Sequence, residues 1–357
     1  MNKKQRSIVI TLSIPLLILL VACSFSLDLG NPTADPNVTP VALNQPVQSN
    51  PQQDVAVEDQ LQLPQVVHAI TPGEPGSAEQ SKDDIDSSIT ADEHYALGDS
   101  FRLGNFERPF TDTLMEYKPE TDLLLIDVTS DEDFYYFTFS LIDKNTELGY
   151  PSAYYGIEFD TDYDGRGDYL LWAPGDANTQ WNTDDVMLLY DSNDDVGGTN
   201  PVVPDGHKGN GYDQVLFARD VQHDPDAAWK RLNPYSSSAI QLAVKVSLIN
   251  NNRFYWKAWS DKSIMDPTKF DYNDWYSESQ AGSPNKNSTD YPVAMLNQVD
   301  STCWAAYNLE PTGTELGGCI VKQELQCNCV NVTALSQACC AQCGLVWDNT
   351  VGFCKIR

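Results

Sequence analysis

The stretch LLLIDVTSDEDFYYFTFSLI, residues 123–142, decides the fold class. Two runs of aliphatic, aromatic and β-branched residues, 123–130 and 134–142, flank the acidic triplet Asp131-Glu132-Asp133. Short runs of this composition between turn formers read as β-strands. The same signature recurs at 154–159, 168–173, 186–191, 214–218, 241–249 and 254–260. In 241–249, Leu242, Val244, Val246 and Leu248 alternate with Gln241, Ala243, Lys245 and Ser247, the period of a strand with one wet face. Helical signals are sparse. In DPDAAWKRL (224–232) Asp224 can cap and Pro225 can open a helix, and in TALSQACCAQCG (333–344) Thr333 can cap and Gly344 can end one. Eight strands with so few helices predict an all-β protein, an antiparallel β-sandwich over 93–300, not a parallel α/β fold.

The chain reads differently before this region. MNKKQR carries three positive charges ahead of the apolar SIVITLSIPLLILLVA, so 1–22 reads as a signal peptide. Leu20-Val21-Ala22-Cys23 resembles the bacterial lipoprotein signal. That resemblance implies a lipidated Cys23 and an extracytoplasmic protein held at the bacterial cell envelope by its lipid alone. An uncleaved anchor and an ordinary signal peptide are the alternatives. Residues 23–92 hold eight prolines between Pro32 and Pro75 and no Lys or Arg before Lys82. Such a segment buries too little apolar area to offset its ordering entropy and reads as a tether.

The net charge of −29, from 51 acidic and 22 basic residues, disfavours nucleic acid and favours divalent cations. Setting Cys23 aside leaves Cys303, Cys319, Cys327, Cys329, Cys339, Cys340, Cys343 and Cys354, all within 301–357. An even number in an exported chain reads as four disulfides stapling a small C-terminal unit. A four-cysteine zinc site built on Cys327-x-Cys329 and Cys340-x-x-Cys343 is the alternative.

FDTDYDGRGDY (159–169) places Asp160, Asp162, Asp164 and Asp168 around Gly165 and Gly167. Alternating carboxylates converge on one point, glycine permits a sharp turn, and hard oxygen donors suit Ca²⁺. The EF-hand pattern breaks down at its eighth and twelfth positions, occupied by Gly167 and Leu171, and the flanks are strands. A calcium loop between two strands is expected, holding the fold rather than doing chemistry. Asp191, Asn193 and Asp195 repeat the alternation in a second, weaker candidate. A hydrated acidic turn is the plain alternative for both.

Catalytic motifs are thin. GDSF (98–101) and DVQH (220–223) echo blocks of GDSL-type hydrolases, but those enzymes need a parallel α/β fold and a Gly-x-Asn-Asp block that this chain lacks. Carboxylates for glycoside hydrolysis are too abundant here to carry an argument. Trp172, Trp181, Trp229, Trp256, Trp259 and Trp275 offer stacking surfaces for sugars, although core packing is the bland reading for any of them. Trp256 and Trp259 must face opposite sides of one strand.

The run from MEYKPETDLLLIDVTSDEDFYYFTFSL to YYGIEFDTDYDGRGDYLLWA resembles the superfamily of family 9 carbohydrate-binding modules and DOMON-like domains. The likeness lies in a Pro-x-x-Asp opening, a strand ending in an acidic turn, and FDTDYDG. It implies a jelly-roll-like sandwich, often with bound calcium, that holds sugars or, in some relatives, haem; no Met and His stand out here as a haem pair. The expectation is a non-enzymatic, calcium-stabilised surface domain for polysaccharide. An adhesive envelope protein that binds another protein is the second reading, and an extracellular hydrolase the third.

Overall fold

The 123–142 stretch forms the two expected strands, which pair with each other as a hairpin, and their register shows why. Ile126 pairs with Phe139 and Val128 with Phe137, so alternate residues of both strands face one side. Asp131 accepts hydrogen bonds from the Asp133 and Phe134 amides at 2.8 and 2.7 Å and from the Tyr136 hydroxyl at 2.6 Å. The acidic triplet is thus turn chemistry.

The computed structural model describes residues 67–199, 203–219, 221–222, 224–249, 251–264, 266–270, 272–315, 317–319, 346–348 and 353–355. The strands are β1 (Gln80–Asp83), β2 (Glu107–Arg108), β3 (Leu123–Ser130), β4 (Phe134–Leu141), β5 (Tyr154–Asp160), β6 (Tyr169–Pro174), β7 (Met187–Tyr190) and β8 (Gln214–Ala218). They continue as β9 (Val221–Gln222), β10 (Ala228–Leu232), β11 (Ala239–Lys245), β12 (Phe254–Asp261), β13 (Val299–Ser301) and β14 (Ala305–Tyr307), with a hairpin of β15 (Val346–Asp348) and β16 (Phe353–Lys355). One sheet has the order β1-β3-β4-β11-β10. The other runs β2-β13-β12-β5-β6-β7-β8-β9, with β14 also on β12. Neighbouring strands are antiparallel throughout these two sheets. The protein is an all-β antiparallel sandwich.

Between the sheets lies an aromatic and aliphatic core that includes Phe137 and Phe139 of β4, Ile157 and Phe159 of β5, and Trp256 of β12. Trp259, three residues on, faces the other way as strand geometry demands. It joins Trp172, Phe106, Phe270 and Tyr272 in a second core on the outer face of the larger sheet. That sheet is therefore covered on both faces, and Trp172, Trp229, Trp256 and Trp259 are each at most 2% exposed.

Three expectations are corrected. DPDAAWKRL forms no helix: residues 228–232 are β10, paired along β11 from Ala228↔Val244 to Leu232↔Ile240. Asp224 instead accepts the Asp226 amide at 3.0 Å and binds Lys245 at 2.6 Å. A local cap signal loses to a full ladder with a non-local partner. The strand expected over 241–249 ends at Lys245, and Val246–Ile249 is a helical turn. The described part of the tether, from residue 67, is folded. Asp226 accepts from the backbone amides of Ala69 and Ile70, each at 3.0 Å, and β1 extends the smaller sheet along β3. The helix expected at 333–344 lies outside the described residues.

Arg231 holds this N-terminal strap through Glu74 at 2.7 and 2.8 Å and stacks on Trp181 at 4.3 Å. The Glu74 side chain is 59% exposed, so water screens the pair. Glu74→Gln is expected to change stability by less than about 1 kcal/mol in urea unfolding. A larger loss would mean that the charge, not the packing, docks the strap.

Candidate metal centre and adjoining cleft

Asp160 ends β5 and Tyr169 opens β6, so residues 161–168 join neighbouring strands whose last pair is Phe159 with Tyr169. Asp160 accepts the Tyr163 amide at 2.6 Å and the Gly165 amide at 3.0 Å, curling the loop over its carboxylate. Tyr163 and Gly165 take left-handed backbone angles, with φ of 72° and 94°. Asp168 closes the loop by accepting both the amide and the hydroxyl of Thr161. Alternation thereby becomes convergence. Asp160, Asp162 and Asp168 each bring one carboxylate oxygen to within 4.8 Å of the others. Ligands on one Ca²⁺ sit 2.3–2.6 Å from it, hence no more than about 5 Å apart, and the spacing fits a shared ion.

The electrostatics favour a cation in the same place. Burial, and then repulsion from Asp168 and Asp164, pushes Asp160 up to about 7 against the amides that stabilise its charge. Burial likewise raises Asp168, with Asp162 and Asp164 adding to it. A nearby positive charge reverses such shifts.

Asp164 stands apart. It accepts the Arg166 amide at 2.8 Å and pairs with the Arg166 guanidinium at 2.7 Å. Arg166 also donates to the carbonyls of Gly198 and Thr199 at 3.0 and 2.7 Å, tying the loop to the second acidic turn. In that turn Asp191 spends both oxygens on the amides of Asn193, Asp194, Asp195 and Val196 at 2.8–3.2 Å. The Asn193 side-chain amide donates to Asp195 at 3.1 Å. Among the described residues neither Asp191 nor Asp195 joins a carboxylate cluster.

Gly167 fills the position that breaks the EF-hand pattern, and the fold gives the reason. A Cβ there would lie 1.8 Å from the Tyr212 hydroxyl. That hydroxyl donates to the buried Glu158 at 2.6 Å, and the indole nitrogen of Trp259 donates to the same carboxylate. The loop rests directly on this buried network.

Beside the loop opens a cleft of about 390 Å³. Tyr163, Tyr255 and Trp304 supply its rings, and Asp164, Thr312 and Glu315 its polar groups. Tyr163 stands edge-on to Tyr255 with ring centres 5.9 Å apart and is 47% exposed. Glu315 accepts from the Tyr255 hydroxyl at 2.8 Å and the Thr312 amide at 2.6 Å. The far wall is the segment after β13, closed by a Cys303–Cys319 disulfide. A loop of that size gains about 3 kcal/mol from its bond. Local pattern gives these rings no signal, because Tyr163 sits inside the aspartate loop and Trp304 within the cysteine-rich stretch.

Of the remaining cysteines, Cys354 lies on β16 opposite Trp347. Cys23, Cys327, Cys329, Cys339, Cys340 and Cys343 lie outside the described residues, as does the signal segment. No helix among the described residues is long and apolar enough to cross a membrane. Ser100 of the GDSF block accepts the Leu103 amide at 3.4 Å as the cap of a short 3₁₀ turn. Asp220 and His223 of DVQH lie outside the described residues. No protein-family model, curated protein or solved structure matches the chain.

Proposed function

We propose that this chain is an exported, lipid-anchored surface protein whose sandwich is a calcium-stabilised, non-catalytic binding domain for carbohydrate. The observation that carries the reading is the juxtaposition of the Asp160–Asp162–Asp168 group with an aromatic cleft, joined through Tyr163 of the same loop. A ring offers its face to the apolar face of a sugar, while Glu315, Asp164 and Thr312 offer acceptors and donors to hydroxyls. Three carboxylates that share an ion hold the loop, and through it the ring, in one place. Asp160, Asp162 and Asp168 would hold the Ca²⁺, whose contribution is positive charge and rigidity.

A glycan array probed in calcium tests the reading. Binding is expected, and Tyr163→Ala is expected to weaken it about tenfold, or 1.4 kcal/mol. The half-exposed side chain makes a stability change beyond about 0.5 kcal/mol unexpected in that variant. Failure to bind any glycan while calcium is bound would sink the carbohydrate reading and leave an envelope protein as the partner to seek.

A further inference from the structure

Away from the cleft, four acids distant in sequence meet. Asp84 follows β1, Glu107 lies on β2, Asp122 precedes β3, and Asp300 on β13 is paired directly opposite Glu107. Glu107, Asp122 and Asp300 are 2%, 0% and 0% exposed, and each brings a carboxylate oxygen to within 4.8 Å of the others. Like charges opposite one another in a ladder destabilise it, and each buried, unpaired charge costs several kcal/mol.

One cation, Lys82, opposes this charge, and it acts on Asp84 without pairing with it. No ion pair among the described residues involves any of the four. Arg108, adjacent on β2, points elsewhere: its guanidinium binds Asp99 at 2.7 and 2.9 Å and the Ala281 carbonyl at 3.1 Å. Hydrogen bonds satisfy only part of the cluster. Asp300 takes the Leu123 amide at 2.7 Å on Oδ2, Asp122 takes the Tyr117 hydroxyl on Oδ2, and Glu107 takes the Ser87 hydroxyl at 2.5 Å. Oδ1 of Asp300, Oδ1 of Asp122 and Oδ2 of Asp84 are fully buried with no hydrogen bond at all. Buried acceptors in native proteins almost always have a partner. Burial raises all four acids; repulsion among the acids adds to it at Glu107, Asp122 and Asp300, while at Asp84 the Lys82 charge works against it.

The donor set selects the ion. It is all oxygen, with no nitrogen or sulfur, which suits a hard divalent cation over zinc or copper. We propose that Glu107, Asp122 and Asp300, with Asp84 at the rim, form a buried calcium site that shares no residue with the aspartate loop. Its ligands come from both sheets, β1 and β3 in one and β2 and β13 in the other, so the ion clamps the sandwich shut at this edge. The inference stands whether or not the cleft takes sugar.

Calcium content of the full chain, after chelation and reloading, tests it. A loop variant, Asp162→Ala with Asp168→Asn, is expected to keep one equivalent of calcium, and adding Asp300→Asn to it is expected to remove that equivalent. Asp300→Asn alone carries a signature that a mere acidic cluster cannot give. It is expected to melt below the unaltered chain in calcium, yet at or above it in chelator, where the lost charge relieves repulsion. A loop variant without calcium overturns the proposal, because that measurement needs no change in the cluster. So does Asp300→Asn that is more stable in both conditions, which would show that protons alone neutralise the acids.

Discussion

Chelation of the calcium-loaded chain is expected to lower its melting temperature by roughly 10 °C. A cation that binds only the folded state stabilises by RT ln(1 + [L]/Kd), about 4 kcal/mol at a thousandfold excess over Kd. A domain of this size shifts by about 2–4 °C per kcal/mol. The effect has a structural source in the aspartate loop. Without a cation, Asp160 is buried beside Asp168 with its ionisation opposed, and only amide hydrogen bonds offset that cost. With calcium, the same oxygens become ligands. Asp162→Ala combined with Asp168→Asn is expected to shrink the chelator effect in differential scanning calorimetry. An unchanged melting curve in chelator would reduce the loop to a hydrated turn held by Arg166 and its own amides.

Gly167→Ala is expected to cost about 3 kcal/mol and to weaken calcium binding in a titration of the loop. The new methyl would lie 1.8 Å from the Tyr212 hydroxyl and 3.1 Å from Glu158 Oε1. Tyr212 is 2% exposed and its ring packs edge-on to Phe270 at 5.5 Å, so it has little room to swing away. Overpacking of this kind costs about 1–3 kcal/mol, and parting the Tyr212 hydroxyl from Glu158 leaves a buried carboxylate short of a donor, adding about 1–3 kcal/mol. Urea unfolding measures the cost, and calcium titration of the same variant measures the loop. A loss below about 0.5 kcal/mol would show that the loop backbone lifts off the sheet without penalty.

The strands and the misread helix illustrate what local pattern can carry. Leu123–Ser130, Phe134–Leu141 and Phe254–Asp261 stand out because a half-buried strand must alternate, and alternation is visible without knowing the partner. Asp224-Pro225 shows the reverse. Its cap chemistry is genuine, but Asp224 spends it on a turn, because Ala228–Leu232 gains a ladder on β11 that no local window reveals. The aspartate loop was legible in the same way as the strands. Its residues lie within nine positions, so spacing alone implies convergence; only the turn of Asp164 onto Arg166 depends on the folded loop.

An all-β sandwich and a short loop that gathers carboxylates are legible in the chain alone, because period-two patterning and local loop spacing are properties of neighbouring residues. Only the folded chain separates core aromatics from the ring that stands open at the cleft: Trp172, Trp256 and Trp259 are buried and Trp304 is 6% exposed, whereas Tyr163 is 47% exposed. The tertiary structure alone brought Glu107, Asp122 and Asp300 together across 193 residues of chain. Contacts at that separation form when two sheets close on each other, and nothing in the residues between them records it.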